Sequence, residues 1–330
     1  MKRIGLIGYF GWGNFGDELF VKVHRQRLGD TFDLDVTHDL LEAPYYSRPV
    51  SEVAEEFDGF LLGGGDLLNP LRVSELYWNM DYLRKPVFVH GLGVPNQPFR
   101  RDGVIEHYRR FLGHENCKVV IARDVESHNW LKENLDLGDK LHWYPDPVCA
   151  MDKPAPTPSK DKVLGVVMRE HRSLDQEMGP VRALIDQAKE QGYKIKHLVL
   201  ASMSLGQADL SRAQLIAESG EEIVQSEDLD ELCQAVSACS HLASIKFHGL
   251  VVATMYGVPS IAMSVTPKNR NFLRMIERPE MLCSYTEPTL QQRLPHHPAR
   301  IHNRVRSGLY NQAVRGYQHL QSTMEEVLGA

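Results

Sequence analysis

Short apolar runs rich in Val, Ile, Leu and Phe alternate along this chain with longer stretches of helical period. The runs Arg3–Ile7, Leu34–Thr37, Gly59–Leu62, Val87–His90 and Val119–Ala122 predict strands. Between them, Phe15–Leu28, Ser74–Leu83, Gly103–Leu112 and Val125–Leu135 predict helices. Strands that are apolar almost throughout, separated by amphipathic helices, imply a parallel sheet covered on both faces and joined by right-handed crossovers. The alternation stops at Asp152–Asp161, where three prolines without an apolar period mark a linker. It resumes with strands Val163–Met168, Ile195–Ala201, Glu222–Val224, His241–Ser244 and Ser260–Met263. The helices predicted among them are Val181–Gln191, Leu210–Glu218, Leu229–Ala238 and Leu250–Tyr256. The tail keeps a helical period through Ile301, Val305, Leu309, Val314, Tyr317, Leu320, Met324 and Val327, with Gly308 and Gly316 permitting bends.

This pattern predicts two Rossmann-like, doubly wound α/β domains, residues 1–151 and 162–298, joined by the linker 152–161. A helical segment at 299–330 follows, and the pattern leaves open whether it packs on one domain or both. Length agrees, because 330 residues exceed the ~250–300 that a single core accommodates. In open α/β sheets ligands bind beyond the carboxyl ends of the strands, so the chemistry is expected in the loops after strands, facing a cleft between the domains.

Composition narrows the classes. Apolar residues at 42% and charged residues at 24% describe a globular chain. A net charge of −6 argues against a general nucleic-acid binder while leaving room for a local basic pocket. Cys117, Cys149, Cys233, Cys239 and Cys283 lack CxxC spacing and sit in apolar contexts, so reduced buried thiols are expected. No apolar run approaches ~18–20 residues, and the opening Met1–Ile7 reads as a strand, so no membrane span and a cytoplasmic location are expected.

Five loops of the first half carry candidate residues. Gly8-Tyr-Phe-Gly-Trp-Gly-Asn-Phe-Gly-Asp-Glu18 follows the first strand and opens a helix, whose free N–H groups suit an anion or substrate. Its spacing is neither GxGxxG nor a P-loop. Asn14 with Asp17 three residues on also fits a capping box, so Asp17 reads equally as cap or site residue, whereas Glu18 reads as structural. Gly63-Gly-Gly65 follows another strand, where close approach of a ligand or of another backbone explains the glycines. Asp66 beyond it either holds a substrate hydroxyl or caps a helix. His90 ends a buried strand at the expected cleft mouth. Arg123 and Asp124 read as an ion pair, with Asp124 or Ser127 capping the next helix, and Asp146 stands between two prolines.

In the second half, Arg169 ends the first strand. Ala243–Ala262 is the most informative stretch: a strand, Lys246, His248 at a helix start, a small-residue helix and the Gly-Val-Pro that leads into another strand. Lys246 and His248, two apart on extended chain, can share a side, and the helix start beside them favours an anion. A phosphate between Arg169, Lys246 and those N–H groups favours a protonated His248 able to act as an acid. His296, His297 and His302 lie in a polar, proline-bearing loop and read as solvated.

Taken in order, Gly8 to Glu18, Gly63–Gly65, Arg123-Asp124 with Ser127, Pro145-Asp146, and His248 to Ala262 make the chain resemble the polysaccharide pyruvyl transferase family. The resemblance implies a two-Rossmann-domain, GT-B-like fold. It implies transfer of a pyruvyl group from phosphoenolpyruvate to sugar hydroxyls, giving a ketal and phosphate. The family's basic–x–His element falls on Lys246, Phe247 and His248, which implies donor binding there and general acid catalysis by His248. Arg169 matches another phosphate-binding arginine. Lys246 stands where the family usually has Arg, a point charge in place of a fork. The first-domain loops are then expected to hold the acceptor, through Gly11, Asn14, Asp17, Gly64, Gly65, Asp66 and His90, with Asp17 or Asp66 as base or hydroxyl anchor. Neither a cofactor nor a metal is expected. The expected partners are phosphoenolpyruvate and a sugar or lipid-linked oligosaccharide.

Two rivals stand beside this reading: a GT-B glycosyltransferase using a nucleotide sugar, and a non-catalytic sugar- or anion-binding protein. The missing GxGxxG speaks against a nicotinamide enzyme, and the missing HExxH or clustered ligands against metal catalysis.

Overall fold

The computed structural model describes residues 1–95, 99–170, 178–296 and 301–330. The chain divides into two units. The first comprises Met1–Gly11, Leu19–Met151 and Leu309–Ala330, and the second comprises Trp12–Glu18 and Asp152–Gly308. The boundary at Met151/Asp152 is where the linker pattern begins. The surprise is Trp12–Glu18, a seven-residue stretch of the glycine-rich loop that clusters with the second unit.

The first unit holds a six-stranded parallel sheet: β1 Lys2–Ile7, β2 Phe32–Val36, β3 Gly59–Gly65, β4 Val87–Leu92, β5 Cys117–Ala122 and β6 Leu141–Trp143. Their spatial order is β2-β1-β3-β4-β5-β6. All its strand pairs are parallel. β3 and β4 are buried along almost their whole length, as their uninterrupted apolar sequences require of strands covered on both faces. The strand β6 escaped the sequence reading because Leu-His-Trp is too short to show a period. The predicted helix Ser74–Leu83 is instead a single turn at Glu75–Trp78 and a 3-10 segment at Met80–Arg84. Asn79 interrupts it, adopting an extended backbone and accepting the Asp81 N–H on its side chain at 2.9 Å.

The second unit holds five parallel strands: β7 Val163–Val167, β8 Lys194–Leu198, β9 Glu222–Val224, β10 His241–Ser244 and β11 Ser260–Ala262. Their order is β11-β10-β7-β8-β9, a doubly wound sheet whose winding reverses between β7 and β10. Its core joins Leu164 and Val166 of the sheet to Leu184 and Ile185 of the helix Gly179–Glu190. Two helices begin earlier than their apolar period: Met203–Ile216 rather than from Leu210, and Phe247–Tyr256 rather than from Leu250. The tail forms one unbroken helix, Asn303–Leu328, which runs through Gly308 and Gly316. Gly316 is a contact point, since a Cβ there would come within 2.9 Å of the Tyr144 side chain. His297 lies outside the described residues, and His302 is exposed.

Candidate active site

Ligands of doubly wound sheets sit where the winding reverses, because the loops leaving adjacent strands part in opposite directions there. In the second unit that point lies between β7 and β10, and the residues leaving those strands are Met168-Arg169 and Ile245-Lys246-Phe247-His248. Both elements singled out by residue type therefore stand at one switch point.

His248 is not on extended chain beside Lys246. Lys246, with extended backbone, is the residue before the helix Phe247–Tyr256, and His248 lies in its first turn. Ser244 forms the corner: its hydroxyl donates to the Lys246 carbonyl at 2.8 Å and accepts the Lys246 N–H at 3.1 Å. Phe247 is buried, meeting the His248 ring edge-on at 4.9 Å and the Phe272 ring at 5.6 Å. It is a wall of the site rather than a polar contact.

The glycine-rich loop supplies the other side. Ser202 donates its N–H to the Gly13 carbonyl at 2.7 Å, and Asn14 forms an antiparallel bridge with Ala201. Gly13 has a φ of +82°, and a Cβ there would overlap the Ser202 carbonyl. These backbone contacts fasten residues 12–18 to the loop after β8. A Cβ on Gly16 would fall on His248 Nδ1, so this glycine exists to admit the imidazole.

Asp17 is buried in the same place. Burial pushes its carboxyl up to about 6, while the hydrogen bond from the Asn14 side chain and the charges of His248 and Lys268 pull the other way and Glu18 adds to the rise. Asn14 thus gives its amide to the Asp17 carboxylate rather than capping the helix, and the capping-box reading is corrected. Glu18, whose carboxylate accepts the Gly13 N–H at 3.0 Å, makes the local structural contact expected of it.

Lys246 is nearly buried. Its Nζ lies 2.5 Å from Asp209 Oδ2 and donates to the Leu200 carbonyl at 2.8 Å. Burial pushes its ammonium below the ordinary lysine range, Asp209 opposes that, Arg169 adds to it, and Asp17 again opposes it. Arg169 is exposed. Lys268 sets its Nζ 5.9 Å from the centroid of the Phe247 ring. Arg169, Lys246, Phe247, His248, Asn14 and Asp17 are thus gathered in one unit, joined by Lys268 and Asp209.

The remaining candidates belong to the first unit. Gly63, with a φ of +154°, sits against the His90 carbonyl, and a Cβ on Gly64 would lie 2.5 Å from the Phe20 ring. Close approach of backbone and ring accounts for those glycines. Gly11 and Gly65 also have positive φ, at +83° and +106°. Asp66 pairs with the buried Arg123, whose Nε and Nη1 are 3.9 Å from Asp124 and 3.8 Å from Asp146. The expected Arg123–Asp124 pair is therefore one edge of a cluster of three carboxylates, while Asp124 caps the next helix by accepting the Ser127 N–H at 2.7 Å. His90 is not at a mouth. It is 1% exposed, 4.6 Å from the Tyr317 ring and 5.9 Å from His24, and burial holds it far below the ordinary histidine range. The reason is the glycine after it: β4 continues to Leu92, so His90 lies inside the sheet and not at its end.

Asp209 and Lys268 were missed. The helix containing Asp209 was expected to begin one residue after it, yet Gly206, Asp209, Arg212, Ala213 and Ile216 form its buried face. Two charged residues on an otherwise apolar helical stripe were the available signal. For Lys268 it was a cation in a helix's first turn, against the dipole.

Known proteins resemble this chain at two levels. The family profile described as "Polysaccharide pyruvyl transferase" matches residues 14–267. A search of curated proteins finds no match. Among solved structures, the UDP-N-acetylglucosamine 2-epimerase of Rickettsia bellii is similar with a TM-score of 0.63 at 12% identity, over 100% of this chain and 97% of that one. The S. aureus MnaA–UDP co-structure gives 0.58 at 11%, over 100% and 97%. Anabaena Alr3699/HepE, in complex with UDP and glucose, gives 0.56 at 13%, over 100% of both chains. At such identities the likeness concerns the fold, which is that of GT-B epimerases and glycosyltransferases.

Proposed function

The chain belongs to the polysaccharide pyruvyl transferase family, a family of transferase enzymes, and on that premise we propose that it moves a pyruvyl group from phosphoenolpyruvate to two hydroxyls of a sugar. The observation that carries the donor assignment is that Arg169, Lys246 and His248 all follow β7 and β10 at the switch point, with Lys268 set over Phe247 and sharing with His248 the electrostatic field of Asp17. Three cations suit a small ligand bearing a carboxylate and a phosphate, and the helix starting at Phe247 adds N–H groups of the same sign.

The chemistry follows from those groups. Protonated His248 delivers its proton to the donor's methylene carbon, leaving an oxocarbenium-like C2. One sugar hydroxyl adds to C2 and gives its proton to Asp17. The C2–O bond to phosphate then breaks, phosphate leaves with that proton, and the second hydroxyl closes the ketal as its proton restores His248. Two protons enter and two leave. Arg169, Lys246 and Lys268 stabilise the charge that gathers on the departing phosphate. Asp17 takes the base role because its carboxylate shares the electrostatic field of His248, whereas Asp66 is paired to Arg123. The acceptor is a sugar, free or lipid-linked. Among the described residues no helix is long and apolar enough to cross a membrane.

The test is phosphate release from phosphoenolpyruvate with and without sugar acceptors, set against nucleoside diphosphate release from nucleotide sugars. His248→Ala is expected to lower turnover by about 10²–10⁴ with a much smaller change in donor affinity. Turnover that survives within about tenfold removes the acid role, and nucleoside diphosphate release in place of phosphate replaces the donor.

A further inference from the structure

Lys246 is a nearly buried lysine, and that creates a physical problem. A guanidinium stays charged when buried, whereas an ammonium titrates and, having no fork, does not fix its own direction. The surroundings of Lys246 address both points. Asp209 Oδ2 lies 2.5 Å from Nζ, and the Leu200 carbonyl accepts from it at 2.8 Å. An ammonium has three N–H donors, so these partners take two sides and leave one. The other oxygen of the same carboxylate, Asp209 Oδ1, accepts the Glu170 N–H at 2.7 Å and so grips the segment that carries Arg169. One helical step on, Arg212 binds the Glu170 carboxylate at 3.1 Å through Nε, so Asp209 and Arg212 hold that segment together.

We infer that Asp209 is a positioning residue for donor binding: it keeps Lys246 cationic with one N–H aimed at the phosphate, and it fixes the strand end bearing Arg169. The inference rests on the donor reading above and adds the residue that makes a lysine serviceable there. The charged groups facing Lys246 are Asp209 from the helix Met203–Ile216, Arg169 from the loop after β7 and Asp17 from the first turn of Phe15–Leu28. Burial and Arg169 favour loss of its proton, and Asp209 is the larger of the two opposing carboxylates. Removing its charge therefore lowers the pH at which Lys246 gives up its proton.

The experiment is calorimetric titration of the full chain with phosphoenolpyruvate at pH 7 and pH 9, on wild type, Asp209→Asn, Lys246→Met and the double variant. Asparagine keeps the acceptor for the Glu170 N–H, and its amide nitrogen replaces the Oδ2 that faces Nζ, so the charge and that acceptor are removed together. Asp209→Asn is expected to weaken binding about twofold at pH 7 and about tenfold at pH 9, while the wild type changes little between them. In the Lys246→Met background, Asp209→Asn is expected to add less than about twofold at either pH, because its route through Lys246 is gone. An equal loss in both backgrounds, or a loss without pH dependence, overturns the inference. If Asp209→Asn fails to fold, Lys246→Met against the double variant decides alone, since the pair is then uncharged in one and unbalanced in the other. A wild type that binds no phosphoenolpyruvate removes the donor reading and this inference with it; additive losses in a wild type that binds remove the inference only.

Discussion

Two residues of the glycine-rich loop are where function and stability pull apart. Asp17 titrates at about 6 in the folded protein against an ordinary 3.8, so the folded state holds its proton more tightly than the unfolded chain does. That contribution is fully present below pH 3.8 and is lost as pH rises through 6, an amount of about 3 kcal/mol. Asp17→Asn is therefore expected to unfold at higher urea than wild type at pH 8, with the advantage gone at pH 4, and to lose turnover by about 10² or more. Wild-type turnover is expected to rise through a limb near pH 6 that the variant lacks. Urea melts and a pH–rate profile check both. Gly16→Ala is the complementary case. Its methyl would occupy the space of the His248 imidazole, so turnover is expected to fall by about 10² while the melting temperature moves by only a few degrees. Full activity in that variant contradicts the place given to His248. Arg169, Lys246 and His248 stood out in the sequence because basic residues follow the ends of apolar strands there, where loops of open α/β sheets meet ligands. Gly16 and Asp209 did not, since their partners are brought to them by long-range contacts that no local spacing encodes.

The strands were the more legible elements. Of the eleven strands among the described residues, ten were anticipated, the central β3, β4 and β7 as uninterrupted apolar runs and the outer β2 and β8 as runs broken by polar residues. Helix starts were harder, because His248 and Gly249 interrupt the apolar pattern in the first turn of Phe247–Tyr256, and Ser204, Gly206 and Gln207 do so at the start of Met203–Ile216. Helix ends obey local rules: Gly257 closes Phe247–Tyr256 with a φ of +74°. Gly257→Ala is expected to cost about 1 kcal/mol, measured by chemical denaturation, since only glycine adopts that backbone freely. The ends of β3 to β5 show what loops after strands do when they serve architecture. Arg123 is buried among Asp66, Asp124 and Asp146, and Arg123→Met leaves those carboxylates facing one another. A loss of about 3–5 kcal/mol of stability is expected, against less than about 1 kcal/mol for removal of the exposed Lys194–Asp161 pair.

At the scale of the whole chain, the alternation of apolar runs and helical stretches anticipated two parallel-sheet α/β units. What the pattern could not disclose is that Trp12–Glu18 clusters with residues 152–308, a tertiary fact set by the Gly13–Ser202 and Asn14–Ala201 backbone contacts. That transfer puts Asp17 in the same unit as Arg169, Lys246 and Lys268 and leaves Asp66 with Arg123, and the proposed base role of Asp17 rests on it. The central claim is that this unit holds phosphoenolpyruvate with its phosphate among Arg169, Lys246 and Lys268 and its methylene carbon beside His248. A crystal structure of the protein soaked with phosphoenolpyruvate measures it directly. The account predicts phosphate oxygens within about 3 Å of Lys246 Nζ and the His248 ring over the methylene. Donor density anywhere else, or an imidazole turned away from that carbon, contradicts it.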